Sequence, residues 1–253
     1  MLDNKKIVIA GAGGLLGSSL TRVLLEAGAT VIATDVSIDL IKKRFEEIVL
    51  DYKGLPVTLE RLDVTCEDSV KGFFQAFDGL DGAVNCSYPR NGNYGKKLFD
   101  VSFASFNDNV SLHLGSAFLF SQQSAAYFIQ HKKSFSLVNL ASIYGVVAPK
   151  FEIYKGTDMT MPIEYAAIKA AILQLNKYIS AYVSHSDFRV NSVSPGGIID
   201  NQPKSFLKNY KKNTNGAGML DVDDVCGAIM FLLSDASRYM TGQNLIVDDG
   251  FVL

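Results

Sequence analysis

Tryptophan is absent from the 253 residues, and cysteine, histidine and proline are scarce, with three, three and six copies. Cys66, Cys86 and Cys226 stand at long spacings that make neither a disulfide framework nor a metal-ligand cluster. They read as free thiols of a reducing compartment, and no metal is expected. An excess of one charge is missing too: Lys+Arg 24 stand against Asp+Glu 26, a formal net charge of −2. That balance argues against nucleic acid as a partner, because a phosphate backbone calls for a basic face. Long apolar runs are also lacking. Residues 109–130 carry no formal charge, yet they include Asn109, His113, Gln122, Gln123, Gln130 and four serines, too polar for hydrocarbon. They read as a buried helix at a subunit interface. The Lys5-Lys6 pair is followed by only four apolar residues before a glycine-rich turn, so no secretory signal is read. The expectation is a cytoplasmic chain with no membrane partner.

What is present is an apolar share of 48%, enough at this length for one large core, and no Pro/Gly/Ser linker or internal repeat. Short β-branched runs at 6–10, 30–34, 57–62, 82–85, 136–140, 188–193 and 244–247 alternate with helical stretches. Those stretches are 15–27, 38–50, 67–77, 101–130, 164–184 and 221–233. Strands apolar on both faces, each followed by a helix, predict a parallel sheet covered on both sides. The fold expected is a single α/β domain over residues 1–253: a three-layer, doubly wound Rossmann-type sheet of about seven strands. Three stretches, 87–97, 143–161 and 198–218, do not fit the alternation. They lie beyond the carboxyl ends of strands, where open α/β sheets bind ligands.

The first strand runs into Ala10-Gly11-Ala12-Gly13-Gly14-Leu15-Leu16-Gly17 and then a helix. Glycines there let the backbone turn tightly and approach a pyrophosphate, whose charge sits at the helix N-terminus. The spacing reads GxxGxxG through Gly11, Gly14 and Gly17. Asp35 ends the second strand, about where a carboxylate hydrogen-bonds ribose hydroxyls. No Arg or Lys lies in the loop or just after Asp35 to neutralise a 2′-phosphate, which favours NAD over NADP. Further along, Tyr165 and Lys169 lie four apart on one helix face, and a nearby ammonium favours a phenolate. A Tyr and a Lys at that spacing arise about once by chance in such a composition, so the companions decide.

With those companions the sequence resembles the short-chain dehydrogenase/reductase family over essentially its whole length. The matching pieces are the glycine loop, Asp35, Asp63-Val64 after the third strand, and Asn85 in the slot of the family's NNAG motif. Ser142, Tyr165, Lys169, Pro195-Gly196 and Gly242-Gln243 follow in order. The resemblance implies a hydride-transfer enzyme with Tyr165 as general acid/base and Ser142 orienting the reacting carbonyl or hydroxyl. Lys169 would bind the nicotinamide ribose and depress the phenol's pKa. Gly11, Gly14 and Gly17, with Leu15 and Leu16, would hold the pyrophosphate, and Asp63 and Val64 would flank the adenine. Asn85, Pro195, Gly196 and Ile198 would line the other half of the cofactor.

The chain also departs from the family pattern. Ala10 and Leu15 replace the usual Thr and Gly, and NNAG has become Asn85-Cys86-Ser87-Tyr88. His113 takes the slot of the asparagine that joins the family's proton relay; a relay role and helix-interface packing both remain open for it. Ser142 and Tyr165 are 23 apart, roughly ten more than usual, with the extra residues read as a substrate loop. The runs NCSYPRNGNYGKK, ASIYGVVAPKFEIY, SPGGIIDNQP and VDDGF resemble bacterial members associated with flagellin or surface-polysaccharide sugar modification. That implies a sugar-like substrate, with Arg90, Lys96, Lys150, Lys155 and Tyr144 beside it and the cations holding a phosphate or carboxylate. A homodimer or homotetramer is expected, as in related proteins. Two rivals stand beside this reading. A nucleotide-sugar epimerase or dehydratase shares GxxGxxG, but the chain ends just after the seventh strand, without that branch's sugar-nucleotide domain. A non-catalytic NAD-sensing protein usually loses the Tyr or the Lys, and both are kept here.

Overall fold

The computed structural model describes residues 2–48 and 50–253. Seven strands form one parallel sheet in the order β3-β2-β1-β4-β5-β6-β7. They are β1 (Lys6–Ala10), β2 (Thr30–Asp35), β3 (Val57–Arg61), β4 (Gly82–Asn85), β5 (Phe135–Leu140), β6 (Phe188–Pro195) and β7 (Asn244–Val247). The helices are α1 (Leu15–Glu26), α2 (Ile38–Glu47), α3 (Glu67–Ala76), α4 (Phe103–Asn109), α5 (Gly115–His131), α6 (Ile163–Val183), α7 (Lys204–Lys211) and α8 (Val222–Leu233). The strand order reverses direction between β1 and β4, which opens a crevice at the carboxyl ends of both.

Alternation along the strands builds the two covered faces. Ile7 and Ile9 of β1 enter one core with Leu20 and Leu24 of α1 and Ile229 of α8. Val8 and Ala10, pointing the other way, enter a second core with Phe73 and Phe74 of α3 and Phe120 and Phe128 of α5. β2 divides likewise, with Val31 and Ala33 in the first core and Ile32 in the second. At about 25 cal/mol per Å² of apolar surface removed from water, these cores supply the bulk of the folding drive. Among the described residues, no helix is long and apolar enough to cross a membrane.

The elements depart from the expectations in two places. The stretch 101–130 is not one helix: α4 passes into a π-helical turn, Val110–Leu114, before α5 begins. The extra residue of a π turn breaks the 3.6 period without changing composition, so apolar spacing does not reveal it. The stretch 198–218 is not wholly irregular, since α7 lies inside it. Lys204, Lys208 and Lys211 face solvent while Phe206 and Tyr210 are buried. These two rings join Ile143, Tyr144, Ile153, Tyr154 and Phe251 in a small core above the sheet's carboxyl edge.

A polar chain runs through the interior beside the site. Asn139 of β5 donates to Ser121 Oγ of α5 at 3.0 Å and to Asn176 Oδ1 of α6 at 2.7 Å, and Asn176 donates on to Ser192 Oγ of β6 at 2.5 Å. Both asparagines are fully buried, so each bond replaces one to water. Asn176→Ala strands one donor of Asn139 and should lower stability by about 1–3 kcal/mol. Urea unfolding checks this; an unchanged midpoint would contradict it.

Candidate active site

Two cavities meet at the carboxyl edge of the sheet. The larger, about 780 Å³, is lined by Gly11, Gly14, Leu15, Leu16 and Gly17 at one side, and by Asp35, Asp63 and Val64 at its far end. Lys169, Tyr165, Pro195, Ile198 and Arg90 close the other end. The smaller, about 440 Å³, is lined by Ser142, Tyr144, Tyr154, Gly196, Tyr210 and others, and shares Tyr165 with the first.

The first cavity fits a dinucleotide. Gly17 packs so near Gly11 that a Cβ on it would stand 2.1 Å from the Gly11 carbonyl oxygen, so only glycine permits this loop. No side chain caps α1, and the loop that opens this helix faces the cavity, leaving its first-turn N–H groups for a pyrophosphate. Asp35 is held in place by the N–H groups of Gly13, donating to Oδ2 at 3.0 Å, and of Val36, donating to Oδ1 at 2.8 Å. One cation that the sequence reading left out comes from the neighbouring strand. Arg61 stands opposite Asp35 in the β2–β3 register and donates from Nε to the Val36 carbonyl at 3.2 Å, though it does not line the cavity.

Ser142, Tyr165 and Lys169 come together from β5 and α6. Ser142 lies two residues beyond the end of β5, and its Oγ accepts from the Tyr144 N–H at 3.2 Å, which starts a tight turn at Ile143–Gly145. That turn lies on α6: a Cβ on Gly145 would stand 2.7 Å from the Lys169 carbonyl carbon and 2.9 Å from the Ala170 nitrogen. The Ser142 hydroxyl lies near enough to the Tyr165 phenol to favour its ionised form. Lys169 Nζ donates to the Leu140 carbonyl at 2.6 Å and lies 5.5 Å from the centre of the Tyr165 ring.

Several residues do not stand where the sequence put them. Asn85 lines neither cavity; its Oδ1 accepts from the N–H of Ser87 at 3.1 Å and from the Ser87 hydroxyl, so it shapes the turn there. Gly196 belongs to the second cavity, not the first. Lys150 is turned away to the segment after β7, donating to the Phe251 carbonyl at 3.0 Å and lying over that ring. Lys96 and Lys155 are exposed and line neither cavity, because long cations on loops stay in water unless a partner repays their desolvation. Of the cations expected beside the substrate, Arg90 alone lines a cavity, and it is the first one. His113 is buried inside the chain at the π turn and lines neither cavity. Its Nδ1 has no hydrogen-bond partner among the described residues, and its ring packs edge-on against Tyr88 at 4.9 Å. Burial, with Lys169 and Arg90 nearby, pushes its pKa down to about 2, so the imidazole is neutral.

The family model described as enoyl-(acyl carrier protein) reductase matches residues 11–252. Post-translational flagellin modification protein A of Campylobacter coli is 38% identical over 259 residues, covering 100% of both chains. The chain belongs to the short-chain dehydrogenase/reductase family. A short chain dehydrogenase from Leptospira borgpetersenii, crystallised with NAD+, has a TM-score of 0.85 at 30% identity and covers 100% of this chain and 94% of its own. A gluconate 5-dehydrogenase from Burkholderia cenocepacia, in complex with NADP and tartrate, shares the fold with a TM-score of 0.84 at 23% identity, covering 99% and 96%.

As a short-chain dehydrogenase/reductase the chain acts on CH–OH or keto groups, and a bound nicotinamide supplies or takes the hydride. The protein's part is the proton. Burial raises the Tyr165 phenol above its ordinary value, and the nearby Ser142 hydroxyl opposes that rise. Lys169, expected to draw the phenol down, stands 5.5 Å from the centre of its ring. Burial dominates Lys169 as well, pushing it down to about 7, and its Nζ is directed to the Leu140 carbonyl. Tyr88, which the change from NNAG to Asn85-Cys86-Ser87-Tyr88 marks as a larger group near the cofactor without giving it a site role, lines both cavities.

The lysine has a consequence for stability. Its pKa in the fold, about 7, lies below the ordinary lysine value of 10.5, so the unfolded chain binds the proton more tightly. Lys169 therefore opposes folding fully below about pH 7, and that penalty fades as pH rises toward 10.5. Lys169→Met should flatten this rise in the stability of the cofactor-free protein. Thermal melts across that window check it; identical pH profiles for the two proteins would contradict it.

Proposed function

We propose that this protein is an NAD-dependent oxidoreductase that interconverts a secondary alcohol and a ketone on a sugar or sugar derivative, in surface-glycan biosynthesis in the cytoplasm. The observation that carries the reading is the position of Tyr165. Its ring is shared by both cavities, with Lys169 on the dinucleotide side and Ser142 on the other. A phenol at such a junction reaches a reacting oxygen in the small cavity while the reacting carbon faces the large one. Ser142 holds that oxygen, Tyr165 gives or takes its proton, and Lys169 binds the ribose. The sugar substrate is supported by the flagellin-modification relative, 38% identical over its full length. Tyrosines in the small cavity offer hydroxyls for polar groups and ring faces for C–H groups.

NAD is preferred because Asp35 lines the far end of the large cavity, where its carboxylate binds ribose hydroxyls and repels a 2′-phosphate. Arg61, tied to the Val36 carbonyl outside the cavity, leaves that repulsion standing. The assembly is a closed dimer or tetramer, with the outer faces of α5 and α6 packed across a twofold axis. Phe118, Ile129, Tyr178 and Tyr182 expose large apolar surface on those helices, more than a lone chain gains by leaving in water.

Three measurements test this reading. Titration should find NADH bound at least about tenfold tighter than NADPH, about 1.4 kcal/mol; equal affinities would overturn the cofactor choice. Light scattering should give an oligomer at micromolar concentration, and a stable monomer would refute the assembly. Once a sugar ketone or alcohol is turned over, Tyr165→Phe should cut kcat by about 10²–10⁴ and leave NADH affinity nearly intact. Full turnover by that variant would end the proposed mechanism.

A further inference from the structure

Tyr88 and Tyr165 are the two aromatic residues common to both cavities. In the family motif that Asn85-Cys86-Ser87-Tyr88 resembles, the slot of Tyr88 holds glycine, so this ring fills space the pattern leaves open. Nothing about the ring's placement is loose. It stands edge-on to Tyr165 with centroids 5.5 Å apart at 79°, to His113 at 4.9 Å and 68°, and to Tyr94 at 5.6 Å and 89°. Its hydroxyl is hydrogen-bonded to that of Tyr94. The Arg90 guanidinium lies 4.7 Å from its centroid, and Lys169 Nζ lies 5.9 Å away. Each contact is geometry in which an aromatic edge or a cation meets a π face favourably.

These contacts also account for His113. Its buried ring, neutral and with Nδ1 unpartnered among the described residues, presses on Tyr88 and lines neither cavity. A side chain so placed acts through the ring it supports.

We propose that Tyr88 is a positioning residue: its ring partitions the nicotinamide end of the large cavity from the substrate cavity and fixes how the nicotinamide lies beside Tyr165, with His113 as its backing. The inference rests on the nicotinamide reading above, in which Lys169 and Tyr165 mark that end and Asp35 the opposite one. A ring in this place touches the nicotinamide half of the dinucleotide and not the ADP-ribose half. The two halves can therefore be separated by measurement, without knowledge of the substrate.

The experiment compares dissociation constants for NADH and for ADP-ribose, which lacks the nicotinamide, in the wild-type protein and in Tyr88→Gly, Tyr88→Leu and Tyr88→Phe. Tyr88→Gly restores the residue of the family motif, and Tyr88→Leu keeps an apolar side chain in the space. Both should weaken NADH about 3- to 10-fold, the worth of one aromatic contact, and leave ADP-ribose within about twofold. Tyr88→Phe, which keeps the ring, should bind both ligands as the wild type does. Unchanged or tighter NADH binding in the Gly and Leu proteins overturns the proposal. So does equal weakening of both ligands, which would mark a general structural role, or a Phe protein that behaves like the Gly protein. Failure of the wild type itself to bind NADH would overturn the cofactor reading as well; a wild type that binds, beside variants that do not discriminate, removes the partition alone.

Discussion

The contact on which the site depends is the seating of the turn after β5 on the backbone of α6. Gly145 approaches Lys169 and Ala170 so closely that no other residue fits without moving one element. That approach fixes Ser142, three residues before it, relative to Tyr165 and Lys169. It also brings Lys169 within 2.6 Å of the Leu140 carbonyl, tying the helix to the strand that carries the serine. Three chemical groups from two elements thus keep one spacing because backbone meets backbone, with no flexible side chain between. The asparagine chain from β5 through α6 to β6 anchors the same two elements deeper in the core.

Burial then sets the chemistry of what the contact assembles. Lys169 and His113 are both pushed toward neutrality, and the Tyr165 phenol is held protonated, by the same loss of water. A preorganised set of donors and acceptors needs little rearrangement when a reacting oxygen enters. Of the lysines expected beside the substrate, Lys150 is directed to the Phe251 carbonyl, and Lys96 and Lys155 lie exposed to solvent. The small cavity is walled by a separate cluster in which Phe251 stacks on Tyr210 at 4.7 Å and meets Tyr144 edge-on at 6.1 Å. The extra loop, α7 and the segment after β7 so brace one another above the sheet.

Much of this was legible in the sequence because period-2 and period-3.6 patterns are strong where both faces of a sheet are covered. All seven strands lie within two residues of their expected bounds, and Gly11, Gly14, Gly17, Asp35, Asp63 and Val64 all line the large cavity. What escaped depends on direction rather than position. A lysine's place in a loop does not say whether its four-carbon stem reaches a ligand or a carbonyl, and Lys150 reached the carbonyl. The π turn around His113 changes no composition, and α7 hid behind exposed lysines, with only Phe206 and Tyr210 to mark its buried face. Tyr88 was visible only as a departure from a motif, because its importance lies in rings contributed by residues 94, 113 and 165.

The most direct test of this account is a double-mutant cycle on NADH affinity between Gly145 and Lys169. A methyl at position 145 should displace the Lys169 backbone and cost the lysine the two bonds proposed to the ribose, each worth about 0.5–1.5 kcal/mol. Gly145→Ala should then weaken NADH about 10- to 100-fold in the wild-type background and have almost no further effect once Lys169 is alanine. Equal losses in both backgrounds would show that the turn and the lysine act independently, and would contradict the claim that this contact builds the site.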